Sequence, residues 1–228
     1  MPKANIALII RLLAREFGHP KWHPDGQPLS TLVQTILSQN TSDTNSGRSF
    51  RSLMAAFPQW EDVAAANPAD IAASIQSGGL ADIKAKRIKQ ALEEIMRKRG
   101  ALELDFLNAM SIGEATGWLK QLPGVGDKTA ACVLLFSLGK PALPVDTHIL
   151  RVSKRLGLIG GRTSAEEAHE VLPELVPPHN TYEFHVLMIE HGRRTCKAQR
   201  PVCPKCVLRD VCPSCEGFMK EYYAIDRS

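Results

Sequence analysis

The stretch QLPGVGDKTAAC, residues 121–132, decides how this chain folds, because it joins two helical patterns through a glycine-rich turn. Before the turn, Ser111 and Glu114 have the spacing of a capping box, which marks the start of a helix. The small residues that close the stretch predict a second helix directly after it. We therefore expect a helix–hairpin–helix whose turn is formed by Gly124, Val125 and Gly126.

The two glycines of this turn indicate a possible contact with phosphate. Without side chains, their backbone N–H groups can approach a phosphate closely, and the N-terminus of the next helix adds free donors and positive potential. Such a contact positions a nucleic acid without reading its sequence. A tight connection between two helices that binds nothing is the alternative, and the glycines alone leave both open.

Lys128 is the unusual residue of the stretch, since it would lie in the first turn of the second helix, where the helix dipole disfavours a positive charge. Burial and the dipole favour the neutral amine, which is a nucleophile suited to Schiff-base chemistry. A cation that binds phosphate is the alternative reading. Asp146 precedes another helical pattern and suits an N-cap. The same carboxylate can stabilise the oxocarbenium-like state of a sugar that loses its base.

The bulk composition is that of an ordinary globular chain of 228 residues, with 44% hydrophobic and 23% charged residues. No run of about 18 apolar residues predicts a membrane span. The N-terminal segment reads as an amphipathic helix and not as a signal peptide, so we expect a cytoplasmic protein. The net charge of +4 is weak support for any partner by itself.

Basic residues are grouped in two places, which favours a polyanionic partner over solvated helix faces. The first group is Lys84, Lys86, Arg87, Lys89, Arg97, Lys98 and Arg99. The second group is Arg193, Arg194, Lys197, Arg200, Lys205 and Arg209.

The pattern is helical nearly throughout, and the sequence predicts an all-α fold. Residues 82–98 carry apolar side chains, Ile83 and Met96 among them, at helical spacing. The apolar runs 31–37 and 130–138 are interpreted as buried helices, since no hairpin turns flank them. Thr163 to Glu166 predicts another capping box. Breaks at 18–28 and 139–144 bound one helical domain, and the N-terminal helix would join the rest of the chain in a second, discontinuous domain.

The C-terminal segment indicates a metal centre, because four thiolates in a short loop of a cytosolic chain favour a metal over disulfides. Soft thiolate ligands select zinc or an iron–sulfur cluster. Two C-x2-C pairs, ending with Cys215, resemble a zinc ribbon, but the five residues between them are fewer than zinc pairs usually have. We favour a cluster, with Cys215 as a spare thiol and Cys132 as core, held by Cys196, Cys203, Cys206 and Cys212.

Lys197 and Arg200 lie between the first two of these cysteines. A cluster wrapped by such a basic loop favours a structural clip that presents cations to phosphates. A redox protein with an exposed cluster is the alternative.

Taken together, LPGVGDKTA, VDTHILRV and the cysteine tail preceded by HGRRTC resemble the endonuclease III branch of the helix–hairpin–helix DNA glycosylases. The resemblance covers roughly residues 5–215. It implies two helical domains: a six-helix barrel that carries the hairpin, at 22–140, and an iron–sulfur domain built from 1–21 and 141–228. It implies DNA bound in the cleft between them.

The resemblance also implies roles for individual residues. Lys128 would be the nucleophile that attacks C1′ of a damaged nucleotide, with Asp146 as its helper and strand nicking by β-elimination. The four cysteines would hold a [4Fe–4S] cluster. LSQNTSD matches the segment with a glutamine that fills the space of a flipped base, here Gln39. GGLADIKAKRI matches a loop with an apolar wedge, here Leu80.

Ala81 stands where the enzymes for oxidised pyrimidines usually have an aromatic residue, and LSQNTSD differs from the usual sequence of those enzymes at this segment. The expected function is a bifunctional glycosylase and lyase for oxidised pyrimidines in double-stranded DNA, working as a monomer and also cutting abasic sites. The alternatives are a glycosylase for 5-methylcytosine or mismatched thymine, and a non-catalytic iron–sulfur or zinc DNA-binding protein.

Overall fold

The computed structural model describes residues 5–23 and 27–225, and no β-strand occurs in those ranges. The predicted all-α fold is confirmed. The α-helices of the described residues are α1 (Ile6–Phe17), α2 (Pro28–Ser38), α3 (Asp43–Ala56), α4 (Trp60–Ala65), α5 (Pro68–Ser74), α6 (Ala81–Arg99), α7 (Ile112–Leu119), α8 (Asp127–Cys132), α9 (Thr147–Arg155), α10 (Ala165–Leu175), α11 (Thr181–Arg194) and α12 (Cys215–Ile225).

Shorter helical turns complete the described chain. A π-helical segment continues α8 over Val133–Ser137. Turns of 3₁₀ helix lie at Gln76–Gly78, Asp105–Ala109, Pro178–Asn180, Cys203–Lys205 and Arg209–Val211.

The chain divides into two compact units. Unit 1 comprises Met1–His23 and Pro141–Ser228, and unit 2 comprises Pro24–Lys140. Parts of the predicted domains, at 1–4, 24–26 and 226–228, lie outside the described residues, and so do residues 24–26 of the predicted break at 18–28.

Unit 1 is built around α11, which packs against both α1 and α9. The predicted amphipathic N-terminal helix is confirmed as α1, which begins where the Asn5 side chain accepts a hydrogen bond from the Leu8 N–H at 2.8 Å. Its apolar face supplies Ile9 and Leu13 to a buried cluster that also contains Val152 and Phe184. Burying this face stabilises the helix far more than its intrinsic propensity does.

Unit 2 is centred on α2, which packs against α3, α6, α8 and the π-helical segment. The predicted buried helix at 31–37 is confirmed, since every residue of that run except Gln34 is buried within α2. The run 130–138 is helical as far as Ser137, and it holds Cys132 in the core at 7% exposure.

Two local predictions need correction. The capping box predicted at Thr163 and Glu166 is one residue further on, where Ser164 caps α10 and pairs with Glu167. Ile83 and Met96 follow the apolar spacing of α6 but are 48% and 37% exposed, because the buried face of the helix is narrower than the pattern. The capping box at Ser111 and Glu114 is confirmed at the start of α7.

Within the described residues, no helix combines the length and apolar character that a membrane crossing requires.

Candidate active site

The hairpin turn between α7 and α8 is closed by a hydrogen bond from the Val125 N–H to the Leu122 carbonyl at 3.2 Å. Gly124 has a φ of 79°, a conformation that favours glycine, and a Cβ there would lie 2.8 Å from Cδ of Arg87. Val125 points into the protein at 8% exposure. Gly126 is exposed, and a Cβ there would meet no atom within 4 Å. The glycine at 124 is therefore required by the fold itself, whereas the one at 126 leaves open space.

Lys128 is the second residue of α8, as predicted, and is half-buried. Its neighbour Asp127 pairs with Lys120, whose Nζ lies 2.6 Å from the Asp127 carboxylate. Lys128 itself has no hydrogen bond or ion pair with any residue in the described part of the chain. The first turn of α8 thus holds one paired carboxylate and one amine that is free to act.

Gln39 follows the last residue of α2, and both ends of its side-chain amide are fixed. Its Nε2 donates to the Gly124 carbonyl at 3.1 Å, and its Oε1 accepts from Arg87 at 2.8 Å. The structure therefore brings two predicted site residues, Gln39 and Gly124, into direct contact. Arg87 joins them, although its sequence position indicated only a member of a basic cluster.

Leu80 lies between the 3₁₀ turn at Gln76–Gly78 and the start of α6. Its side chain is 52% exposed, and its backbone is left-handed, with φ 50° and ψ 37°. Non-glycine residues adopt this conformation at a cost of about 1–3 kcal/mol, and such strain is concentrated at functional sites. A strained backbone that holds a leucine in solvent gives no packing advantage to the unit that carries it.

Asp146 is the N-cap of α9, as predicted, and its Oδ1 accepts a hydrogen bond from the Ile149 N–H at 2.8 Å. Its second oxygen accepts no hydrogen bond from the residues that the structure describes. The cap fixes the orientation of the carboxylate and leaves one of its oxygens available. Asp146 belongs to unit 1, and Lys128, Gln39 and Leu80 belong to unit 2.

The cysteine tail forms a pocket in unit 1 together with α9, α11 and the start of α12. Its apolar walls include Val152, Leu156 and Leu208, and Arg155 lies among them. One Arg155 nitrogen lies 3.3 Å from the sulfur of Cys196. The pocket is lined by all five cysteines of the tail: Cys196, Cys203, Cys206, Cys212 and Cys215.

Three thiols of this pocket, those of Cys203, Cys206 and Cys212, are held in their neutral form. Burial raises the pKa of Cys206 to about 12, and burial followed by the neighbouring thiols raises the pKa of Cys203 to about 11. Burial likewise raises the pKa of Cys212. Across the described residues, no three His, Cys, Asp or Glu side chains are close enough together to hold a metal ion as they stand. A metal bound here would have to displace the thiol protons and draw the sulfurs inward.

The basic loop, residues 197–202, follows Cys196. Lys197 and Arg200 are both exposed, and Arg200 has a left-handed backbone with a φ of 49°. The guanidinium of Arg155 donates to the carbonyls of Lys197 and Ala198 at 2.7 and 2.9 Å. The loop is therefore fixed from beneath through its backbone, which leaves its cationic side chains in solvent.

Lys84 contradicts the sequence interpretation of the first basic cluster. It is 1% exposed, and its Nζ donates to the carbonyls of Leu37 and Gly78 at 2.7 and 2.9 Å. Burial lowers the pKa of this lysine. The spacing of charged residues on α6 gave no sign of this, because both acceptors lie on other elements.

The fold and these surroundings define a helix–hairpin–helix protein whose hairpin leads to an unpaired lysine and whose C-terminal segment forms a cysteine pocket. The chain belongs to the HhH-GPD superfamily of base excision DNA repair proteins, whose family model matches residues 33–178. The predicted family resemblance is confirmed.

Two similar proteins each align with most of the chain. Endonuclease III of Thermotoga maritima is 37% identical over 90% of this chain and 92% of its own length. The putative DNA glycosylase At3g47830 of Arabidopsis thaliana is 37% identical over 81% of this chain, which spans only 64% of that plant protein.

Solved structures of endonuclease III also superimpose on this chain. A non-covalent complex of endonuclease III with DNA superimposes with a TM-score of 0.81 at 30% identity, covering 94% of this chain and 97% of the other. A trapped covalent intermediate of endonuclease III with DNA gives a TM-score of 0.79 at the same identity and coverage.

Proposed function

We propose that the protein is a bifunctional base-excision-repair enzyme, a DNA N-glycosylase and abasic-site lyase that removes oxidised pyrimidines. One observation carries the proposal: Lys128 lies in the first turn of α8, directly after the glycine hairpin, and has no partner among the described residues. Lys120, at the end of the preceding helix, is by contrast paired with Asp127. Membership of a base excision repair family and the likeness to endonuclease III support the same reaction class.

The proposed chemistry uses the amine of Lys128 as a nucleophile. Nζ of Lys128 attacks C1′ of the damaged nucleotide, and the glycosidic bond breaks with its electron pair leaving on the base, which takes up a proton. Opening of the sugar ring gives a Schiff base between C1′ and the lysine. Loss of a proton from C2′ then breaks the bond between C3′ and the 3′ phosphate oxygen, and this β-elimination nicks the strand.

Asp146 supplies the negative charge that this reaction needs. As the base departs, positive charge develops on the sugar, and a fixed carboxylate stabilises it. The N-cap bond from Ile149 holds one Asp146 oxygen in place and leaves the other available. Preorganisation by the helix cap means that the carboxylate does not have to reorient during the reaction.

The damaged nucleotide must leave the base stack before Lys128 can reach C1′, at a cost of a few kcal/mol. Leu80, exposed on a strained backbone, is suited to act as an apolar wedge between base steps. Gln39, fixed by Arg87 and the hairpin carbonyl, is suited to fill the vacated space. The Val125 N–H is already bonded to the Leu122 carbonyl, so the N–H groups of Gly124 and Gly126 and the cations Lys197 and Arg200 would contact backbone phosphates.

The cysteine pocket fits a [4Fe–4S] cluster in its chemistry, because four soft thiols line one apolar pocket beside the Arg155 guanidinium. Cys196, Cys203, Cys206 and Cys212 would hold the cluster, with Cys215 as an additional thiol on the wall. When bound, the cluster serves as a structural clip. Cys196 directly precedes the basic loop, so fixing this cysteine fixes the base of the loop that carries Lys197 and Arg200.

The substrate is double-stranded DNA with damaged bases or abasic sites, and the protein acts on it as a monomer in the cytoplasm, at the nucleoid if the cell is prokaryotic. Lesion choice within the oxidised pyrimidines depends on the surroundings of Ala81, which is small where related enzymes usually carry an aromatic residue.

Borohydride trapping tests the proposal. Wild type, Lys128→Gln and the matched control Lys120→Gln are incubated with duplexes that contain thymine glycol, an abasic site or no damage. We expect a covalent protein–DNA band for wild type and Lys120→Gln with both damaged duplexes, and none for Lys128→Gln, which still binds DNA. A band for Lys128→Gln of normal intensity would overturn the assignment of the nucleophile. Wild type without a band on either lesion would overturn the lyase activity itself.

A further inference from the structure

Lys84 is a fully buried lysine in the apolar interior of unit 2. At 1% exposure it is among the largest completely buried side chains of the described chain. Burying an ammonium costs several kcal/mol unless hydrogen bonds compensate for the lost water. An apolar side chain could fill this volume without that cost. The reason for a lysine must therefore lie in the two carbonyl groups that accept its hydrogen bonds.

The two acceptors of Lys84 lie just before the two residues that were proposed to act on the flipped nucleotide, Gln39 and Leu80. Leu37, whose carbonyl lies 2.7 Å from Nζ, is two residues before Gln39. Gly78, whose carbonyl lies 2.9 Å from Nζ, is two residues before Leu80. One ammonium therefore joins the end of α2 to the turn that carries the wedge.

Both carbonyls need a hydrogen-bond donor from outside their own element. Leu37 lies in the last turn of α2, where carbonyls lack helical partners and the helix dipole is negative. Gly78 closes a 3₁₀ turn just before the left-handed residues Gly79 and Leu80. Lysine at position 84 satisfies both groups at once.

A second polar contact holds the same turn from another side. The Ser49 hydroxyl, fully buried in α3, lies 3.2 Å from the Ile75 carbonyl and 2.8 Å from the Ser77 hydroxyl. A Cβ at Gly78 would lie 2.8 Å from the Ser49 oxygen. The turn before Leu80 is thus held by polar contacts with α3, which leave no room for a side chain at position 78.

We propose that Lys84 is a positioning residue for base flipping. It couples the end of α2, which leads to Gln39, to the 3₁₀ turn that leads to Leu80, so that the Leu80 wedge and the Gln39 amide enter the duplex together. Lys84 does not touch DNA. It acts through the carbonyls of Leu37 and Gly78, and α6 adds a third tie through the Arg87 bond to Gln39. This inference rests on the proposed function, because it assumes that Gln39 and Leu80 act on the flipped nucleotide.

The test compares double-stranded and single-stranded substrates. A single-stranded abasic oligonucleotide needs no flipping, so its trapping by borohydride reports Lys128 alone. In Lys84→Met, which keeps the length of the side chain and removes the charge, we expect trapping of the single strand within about 2-fold of wild type. On a thymine glycol duplex at saturating enzyme, we expect base release to fall by about 100-fold, as for a misplaced active-site group. Equal losses on both substrates would mean a general structural role and overturn the proposal.

Two further variants keep the test decisive. Adding Lys84→Met to the pair Gln39→Ala and Leu80→Ala should slow duplex cleavage by no more than about 2-fold, because the residues that Lys84 positions are already gone. A further loss as large as that of Lys84→Met alone would overturn the proposal that Lys84 acts through Gln39 and Leu80. If Lys84→Met does not fold, Gly78→Ala displaces the same turn against Ser49 and should show the same duplex-specific loss. A loss on both substrates would again contradict the proposal.

Ile95→Val, a conservative core change further along α6, serves as the control for lost stability and should affect both substrates equally. Wild type that fails to trap even the single-stranded abasic oligonucleotide would instead refute the lyase function, and this outcome is distinct from any effect of Lys84.

Discussion

At the scale of single residues, Lys128 and Asp146 differ in how well the fold explains them. A carboxylate at a helix N-terminus is stabilised by the dipole and by the cap bond, so Asp146 is explained by stability alone. An ammonium in the first turn of a helix is not, and Lys128 has no partner among the described residues that would offset the cost. The function of Asp146 therefore has to be tested with a variant that keeps its structural role.

Asp146→Asn is that variant, because asparagine caps helices about as well as aspartate and retains the oxygen that accepts from Ile149. We expect the melting temperature and DNA binding to remain unchanged. Single-turnover release of thymine glycol should slow by about 100-fold or more, since the charge that stabilises the sugar cation is lost.

The matched control is Asp70→Asn, which makes the same chemical change in the first turn of α5, on an exposed side chain. It should leave both stability and base release at their wild-type values. A rate for Asp146→Asn close to that of the control would reduce Asp146 to a helix cap.

At the scale of elements, the hairpin between α7 and α8 contains two glycines with different reasons to be glycine. Gly124 is required by its positive φ and by the Arg87 side chain beside it. Gly126 has an ordinary φ of −104° and open space where a side chain would be. The fold therefore explains the first glycine, and a ligand that approaches the backbone would explain the second.

Alanine substitutions separate these two reasons. Gly124→Ala should lower the free energy of unfolding by about 1–2 kcal/mol, because alanine resists the left-handed conformation, and the displaced Arg87 should release Gln39. Gly126→Ala should lower it by only a few tenths of a kcal/mol, the cost of a poorer N-cap, yet it should weaken DNA binding because its methyl group stands where a phosphate would approach. Thermal melting and a DNA-binding titration of both variants measure this. Normal binding by Gly126→Ala would make the hairpin a connection between helices that contacts no phosphate.

The sequence predicted those elements whose causes are local. The capping box of α7 and the cap at Asp146 depend on residues within one helical turn, and both are confirmed. Lys84 was misread as part of a basic surface because its acceptors lie 47 residues before it and six residues before it, on other elements. Long-range partners of this kind leave no periodic signal in the sequence.

The same distinction applies to the candidate site. The left-handed backbone of Leu80 and the two hydrogen bonds of the Gln39 amide depend on tertiary contacts. Local sequence propensities therefore give no indication of them. Sequence motifs marked both positions as candidates. The residues that bond to them or to their elements, Arg87 and Lys84, could be found only from the structure.

At the scale of the whole molecule, each unit has its own buried residues. The core of unit 1 joins α1 to α9 and α11, and the cysteine pocket is lined by residues of this unit alone. The cysteines 196, 206 and 212 pack against that core. In unit 2, α2 and α6 bury the side chains of Leu32, Ile36 and Ile88. None of these three residues lines the cysteine pocket. Removing the proposed cluster should therefore loosen one unit and spare the other.

Cys206→Ser tests this expectation, with Cys215→Ser as its control on the wall of the same pocket. We expect purified wild type and Cys215→Ser to be coloured and to contain iron, and Cys206→Ser to lose both. Amide hydrogen exchange should rise in Cys206→Ser across residues 195–212, because the loop loses the link that holds its ends. Exchange in α2 and α6 should stay at its wild-type rate. A colourless wild type that contains zinc would replace the cluster with a zinc site, equal iron loss in both variants would make Cys215 a ligand, and faster exchange in α6 would show that the two units unfold together.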